Sequence, residues 1–175
     1  MYKSFVPIFI ILIFFCSCSG KSEQAADLIN KANALLSEKE FNEPQKAIDY
    51  LTEAVKLQPD NHEIYNMRGC IYMTTGKNQL AYDDFNKAIQ LNPKNADYYN
   101  NRGTLYEKTG HHKHAIKDFD EAILYDSNAV QFYNNRGSVH LHYGDQKIGC
   151  LDAERACELK SCDLLEWAKK QKYCK

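Results

Sequence analysis

The chain repeats itself at an offset of 34 residues, and this excludes most folds at once. Gly69, Gly103 and Gly137 lie 34 apart; each follows an arginine (Arg68, Arg102, Arg136), and a tyrosine stands four residues before each glycine (Tyr65, Tyr99, Tyr133). Downstream, Ala81, Phe85, Ala88 and Pro93 are echoed by Ala115, Phe119 and Ala122, and upstream by Ala47, Leu51, Ala54 and Pro59. Self-similarity of this period marks an array in which each unit buries its apolar face only by stacking on its neighbours. Each residue type has a packing reason. Glycine and alanine let two helices approach closely, Tyr72, Tyr106, Phe85 and Phe119 fill the space beside them, and Pro93 cannot continue a helix.

These residues resemble the tetratricopeptide repeat, whose first helix carries an aromatic, a glycine and a tyrosine and whose second carries alanine, an aromatic, alanine and proline. The resemblance implies an all-α solenoid of about four helix-turn-helix repeats and a C-terminal capping helix, nine helices in all. The units run over 25–61, 62–95, 96–129 and, in degenerate form, 130–161, with the cap at 162–175. The first unit has Ala32 in place of glycine and a turn about three residues longer around Phe41 to Lys46, with Pro44 near the start of its second helix, where proline is tolerated. The last unit substitutes His140, Gly149 and Ala153 at pattern positions. Leu164, Leu165, Trp167 and Ala168 then supply an apolar stripe for a helix that covers the last exposed face, as arrays require.

The chain begins Met1, Tyr2, Lys3, followed by an apolar run from Phe5 to Phe15 and then Cys16, Ser17, Cys18, Ser19, Gly20, the order of a secretory signal. That run falls short of the about 20 residues that span a bilayer. A cysteine after a small residue at this place resembles the lipobox of bacterial lipoproteins. Cys18, preceded by Ser17, fits it; Phe15 departs from the usual leucine. The expectation is a signal peptide over 1–17, a lipidated Cys18 and a polar tether over 18–24, with an ordinary cleaved signal or an uncleaved anchor as alternatives. Removing Lys3 leaves 21 basic against 23 acidic residues. No basic excess exists to neutralise phosphates, so nucleic acid is not an expected partner, and membrane contact is expected through the lipid alone.

Five further cysteines remain: Cys70, Cys150, Cys157, Cys162 and Cys174. In an oxidising compartment disulfides persist. A hairpin turning near Lys160 to Asp163 faces residues whose numbers sum to roughly 323. Cys150 with Cys174 is therefore the preferred bridge and Cys157 with Cys162 a second, with Cys70 left as a small interior residue. Neither the cysteine spacings nor the turn histidines His111, His112 and His114 match a metal site, so no metal and no cofactor is expected. Arg68, Arg102 and Arg136 each precede an aspartate by 16 residues (Asp84, Asp118, Asp152), which reads as an ion pair built into every unit.

The resemblance places function on a concave groove lined by the first helices, at Asn66, Asn100, Thr104, Lys108, Asn134 and Ser138. The asparagine ladder either satisfies the backbone of a bound peptide or bridges adjacent repeats. The basic clamp of the chaperone-binding members is missing, since Ile29, Asn33, Met67, Asn100 and Thr104 stand in its places. The expected function is a tethered adaptor or assembly factor of the bacterial envelope that holds a protein or peptide, and not an enzyme. A structural subunit using convex or terminal surfaces is the alternative, and a Cys/His hydrolase a remote one.

Overall fold

The computed structural model describes the backbone of residues 9–37 and 43–175, with side chains over 20–35 and 43–175. Among the described residues there are nine helices and no strands: α1 (Phe9–Ser37), α2 (Pro44–Leu57), α3 (His62–Thr74), α4 (Asn78–Leu91), α5 (Ala96–Lys108), α6 (His112–Tyr125), α7 (Val130–Tyr143), α8 (Gln146–Glu158) and α9 (Asp163–Lys170). Residues 1–8 of the expected signal segment, the side chains of its residues 9–17 and of Cys18, and residues 38–42 before α2 lie outside the described residues. None of the described helices is long and apolar enough to cross a membrane. Residues 19–24, expected as a tether, continue α1: serine, glutamine and lysine oppose a helix only weakly, and Ser22 Oγ accepts a hydrogen bond from Gln58 Nε2 at 3.3 Å.

Helices pair as α1 with α2, α3 with α4, α5 with α6 and α7 with α8, and each pair stacks on the next. Within a pair the glycine of the first helix receives the ring of the second. A Cβ built on Gly69 would stand 2.8 Å from Phe85 Cε1, and one on Gly103 would stand 2.7 Å from Phe119 Cε1. Where the first unit has Ala32 it also has the thinner Leu51, and both are fully buried. The tyrosine four residues before the glycine secures the turn between units. Its hydroxyl donates to the carbonyl six residues earlier: Tyr65 to Pro59, Tyr99 to Pro93 and Tyr133 to Ser127, at 3.0, 3.0 and 3.1 Å.

Helix ends follow local chemistry. Asn61 and Asn95 cap α3 and α5 by accepting from Glu63 N and Asp97 N, and Pro44 opens α2. α3 and α5 close on Gly76 and Gly110 at φ 75° and 79°, in a Schellman geometry in which Lys77 N reaches Tyr72 O and His111 N reaches Tyr106 O. α8 and α9 close the same way with lysine in the left-handed position, Lys160 at φ 74° and Lys172 at φ 63°. A side chain there costs about 1–2 kcal/mol, so Lys160→Gly is expected to raise stability by about 1 kcal/mol in a urea titration. An unchanged midpoint would mean that the turn relaxes.

The cap differs from the expected 162–175 helix. α9 spans Asp163–Lys170, after which Tyr173 N and Cys174 N both turn back to Ala168 O at 2.9 and 3.4 Å. Five residues thus run irregularly over the end of the array. The structure joins Cys150 to Cys174 with Cα atoms 5.6 Å apart and Cys157 to Cys162 with Cα atoms 4.0 Å apart. Closing a loop across 24 residues stabilises by about 3 kcal/mol in the chain-entropy account. Cys150→Ser with Cys174→Ser is expected to lower stability by that order, with amide exchange rising over α8 and α9 and little changed over α3 to α6. Uniform loss of protection along the chain would contradict this.

Candidate functional site

The arrangement of the helices decides which face is concave. α3 packs against α5 and α5 against α7, whereas the second helices α4 and α6 make no comparable contact with one another. First helices that touch and second helices that splay curve the array with α3, α5 and α7 on its inner side. All six residues expected to form the groove lie on these three helices.

Two ladders of side chains hold the curvature. In the first, each arginine grips the aspartate of its own second helix through two parallel hydrogen bonds: Arg68 to Asp84 (2.8 and 2.8 Å), Arg102 to Asp118 (2.7 and 2.8 Å) and Arg136 to Asp152 (2.9 and 2.7 Å). The remaining guanidinium nitrogen reaches back to the preceding unit, to Thr52, Asn86 and Asp120 in turn. Each arginine therefore joins three helices. The hydrogen bond to Asp152, assisted by Asp120, holds the Arg136 guanidinium above the ordinary arginine value and outweighs its burial. Burial raises the Asp84 carboxyl above the usual carboxylate range, against the pull of Arg68.

The second ladder is the asparagine row. Asn66 Oδ1 accepts from Asn101 Nδ2 at 2.9 Å, and Asn100 Oδ1 accepts from Asn135 Nδ2 at 2.8 Å. Both asparagines thus bridge adjacent repeats, and Asn101 and Asn135 are the partners that sequence reasoning missed. A 35-residue offset between amide pairs was the available signal. Asn134 has no further repeat to meet. Its Nδ2 donates to Ser161 Oγ at 3.3 Å, and its Oδ1 is buried without a hydrogen-bond partner among the described residues.

The other groove residues are partly committed. Thr104 Oγ1 donates to Asn100 O in its own helix at 2.9 Å, and Lys108 Nζ donates to Met73 O at the end of α3 at 2.7 Å. Ser138 is half-buried, and its carbonyl meets His142 Nδ1 at 2.8 Å. Glu107, half-buried beside them, has its carboxyl raised by burial, opposed by His112 and His142. What remains for a ligand is the amide N–H groups of Asn66 and Asn100, the Ser138 hydroxyl and the Glu107 carboxyl, whereas the Asn134 Oδ1 is buried.

The cysteine and histidine chemistry resolves into packing. Burial pushes the Cys70 thiol up to about 11, which keeps it protonated and a poor nucleophile at neutral pH. His111 and His114 pack on the Tyr106 ring at 6.1 and 5.2 Å, and His112 lies flat on Tyr143. His142 contacts Trp167 and Tyr173 at 5.2 and 6.2 Å, so the cap's aromatic side chains close the last unit. His140 is buried and accepts from Asp145 N at its Nδ1. Among the described residues no three metal-ligating side chains converge.

Comparison with known sequences and folds agrees with this geometry. The family model described as a TPR repeat matches residues 69–110, and that described as the tetratricopeptide repeat matches residues 96–129. The chain carries tetratricopeptide repeats. No curated protein matches the sequence significantly. Among solved structures, the array is similar to MamA, with a TM-score of 0.71 at 23% identity over 89% of this chain and 85% of that one. YrrB, described as a TPR protein with an unusual peptide-binding site, gives 0.66 at 23% identity over 83% and 74%. The TPR domain of OM64 from Arabidopsis gives 0.65 at 27% identity over 70% and 98%. The tetratricopeptide array thus extends beyond the residues the family models match, since units one and four repeat the same pairing and stacking.

Proposed function

We propose that this chain is an adaptor of the bacterial cell envelope, lipidated at Cys18, whose concave face holds an extended segment of another protein. The observation that carries the reading is the row of amides Asn66, Asn100 and Asn134 along α3, α5 and α7. Neutral amides suit a peptide backbone, which offers both N–H and C=O, and they make little demand on side chains. The description of YrrB as having a peptide-binding site supports the same use of the fold. Lys108 is tied to Met73 O, so the groove presents no free cationic clamp, and the ligand read here is an internal segment and not an acidic C-terminus. A lipid at Cys18 would raise the local concentration of such an adaptor at the membrane.

Growth with an alkyne-bearing fatty acid tests the tether. Label is expected on the full chain and on Cys16→Ala, and its loss in Cys18→Ala; label persisting in Cys18→Ala would remove the tether from the account.

A second reading rests on a different observation. Tyr143, Ile148 and Leu151, at 64%, 38% and 55% exposure, leave apolar side chains on the outside of the terminal unit. This suits a structural subunit that docks by its end, and it predicts that Ile148→Ser with Leu151→Ser disrupts association more than changes in the groove do.

A further inference from the structure

The 34-residue repeat allows each position to be compared with its own copies, and one copy departs in kind. Met73, Glu107 and Leu141 stand 34 apart, one on each of α3, α5 and α7. Met73 packs against the cluster of Ala81, Phe85 and Leu105, and Leu141 is fully buried. α5 thus carries a carboxylate where its neighbours pack an apolar side chain. Glu107 is half-buried, and among the described residues its carboxyl has neither an ion-pair nor a hydrogen-bond partner. His112 and His142 stand near enough to pull on it, but burial outweighs them. Neither histidine bonds to it: His142 Nδ1 meets Ser138 O at 2.8 Å, and His112 lies flat on Tyr143. An unpaired, half-buried carboxylate is unfavourable, and a fold keeps such a group where function needs it.

The charges of the three helices lean the same way. Their arginines and their lysine are all committed within the array, Arg68, Arg102 and Arg136 to aspartates and Lys108 to Met73 O. Their carboxylates Glu63, Asp97 and Glu107 have no basic partner among the described residues. We propose that Glu107 receives a positively charged side chain, an arginine or a lysine, carried by the segment that lies on the concave face. The inference rests on the concave-face reading and adds a sequence requirement to it. Glu107 follows Asn100 by seven residues and Thr104 by three, so the three share one face of α5. A backbone bound along that face brings its side chains within reach of the carboxyl. A cation restores the interaction that burial withdraws, whereas an anion or an apolar group leaves the carboxylate unpaired. His142 also stands beside the rings of Trp167 and Tyr173 at 5.2 and 6.2 Å, and such rings attract a cation as well.

The test is NMR on the full chain with the acetylated and amidated pentapeptide Ala-Ala-Arg-Ala-Ala, against the same peptide with citrulline in place of arginine. Citrulline keeps the shape and removes the charge. Saturable shifts are expected at Thr104, Glu107 and Ser138, with the arginine peptide bound roughly tenfold more tightly, the usual worth of a hydrogen bond to a charged group. Glu107→Gln should bring the two peptides to equal affinity. Glu107→Leu, which gives α5 the residue α7 has, should do the same and raise the thermal midpoint, because it removes an uncompensated carboxylate. A preference for arginine that survives in Glu107→Gln, or a lowered midpoint in Glu107→Leu, would overturn the proposal. Equal affinity of the unaltered chain for both peptides, with shifts at Thr104, would overturn it and leave the concave-face reading standing. No saturable shift with either peptide would overturn both.

Discussion

Replacing Arg102 with alanine is expected to lower the unfolding free energy by about 3–5 kcal/mol. Asp118 is only 4% exposed, and both its oxygens are held by Arg102. Removing the guanidinium leaves a buried carboxylate with no countercharge and also cuts the bond to Asn86 in the preceding unit. The loss should therefore appear both as lower stability and as weaker coupling between units two and three. Arg102→Lys keeps the charge but not the planar fork, and should fall between the two. Pairing Arg102→Met with Asp118→Leu removes both charges and should recover most of the loss, since an apolar pair of similar volume is often neutral. Urea denaturation of the four proteins reads this directly. A double variant as unstable as Arg102→Ala would show that the arginine acts through packing and not as the partner of a buried charge.

Gly149→Ala is expected to destabilise by about 1–3 kcal/mol, although both helix propensity and the repeat pattern argue for the opposite sign. Positions 47, 81 and 115, its equivalents, are all fully buried alanines, and alanine in place of glycine in a helix ordinarily gains about 1 kcal/mol. The fourth unit differs because Ala153 stands where Phe85 and Phe119 each lie between the two helices of their own unit. α7 and α8 consequently close up. A Cβ on Gly149 would stand 2.7 Å from Leu141 Cγ, 2.9 Å from Leu141 N and 3.0 Å from Gly137 O. Two of these atoms are backbone, which cannot swing away. Ala115→Gly should also lose stability, so that neither unit accepts the other's residue. A gain from Gly149→Ala in thermal unfolding would show that the helices separate at no cost.

Much of the scaffold can be read from the residues because each device recurs in register. The arginine and aspartate 16 apart are joined by two hydrogen bonds in all three units. The Cys150 to Cys174 pairing is the one that a hairpin register selects, although Cys174 reaches it from an irregular tail and not from a continuing helix. That tail was not legible, because Lys172 adopts a left-handed conformation that nothing in a lysine announces. The candidate site was legible only in outline. Its helices and positions follow from the repeat, but the bridges from Asn66 to Asn101 and from Asn100 to Asn135 depend on the small rotation between units, which sets which of two adjacent asparagines faces across.

The central functional claim is that the concave face holds another protein. The most direct measurement is in-cell photocrosslinking, with a photoreactive side chain at Thr104 on α5 and a matched one at Lys117, exposed on α6. Thr104 is chosen because its hydroxyl bonds only its own helix, so replacing it leaves the asparagine bridges intact. One recurrent adduct is expected from Thr104 and none from Lys117, with competition of that adduct by a synthetic peptide spanning the captured segment. Adducts from Lys117 alone, or the same proteins from both positions, would contradict it and move the interaction to the outer surface.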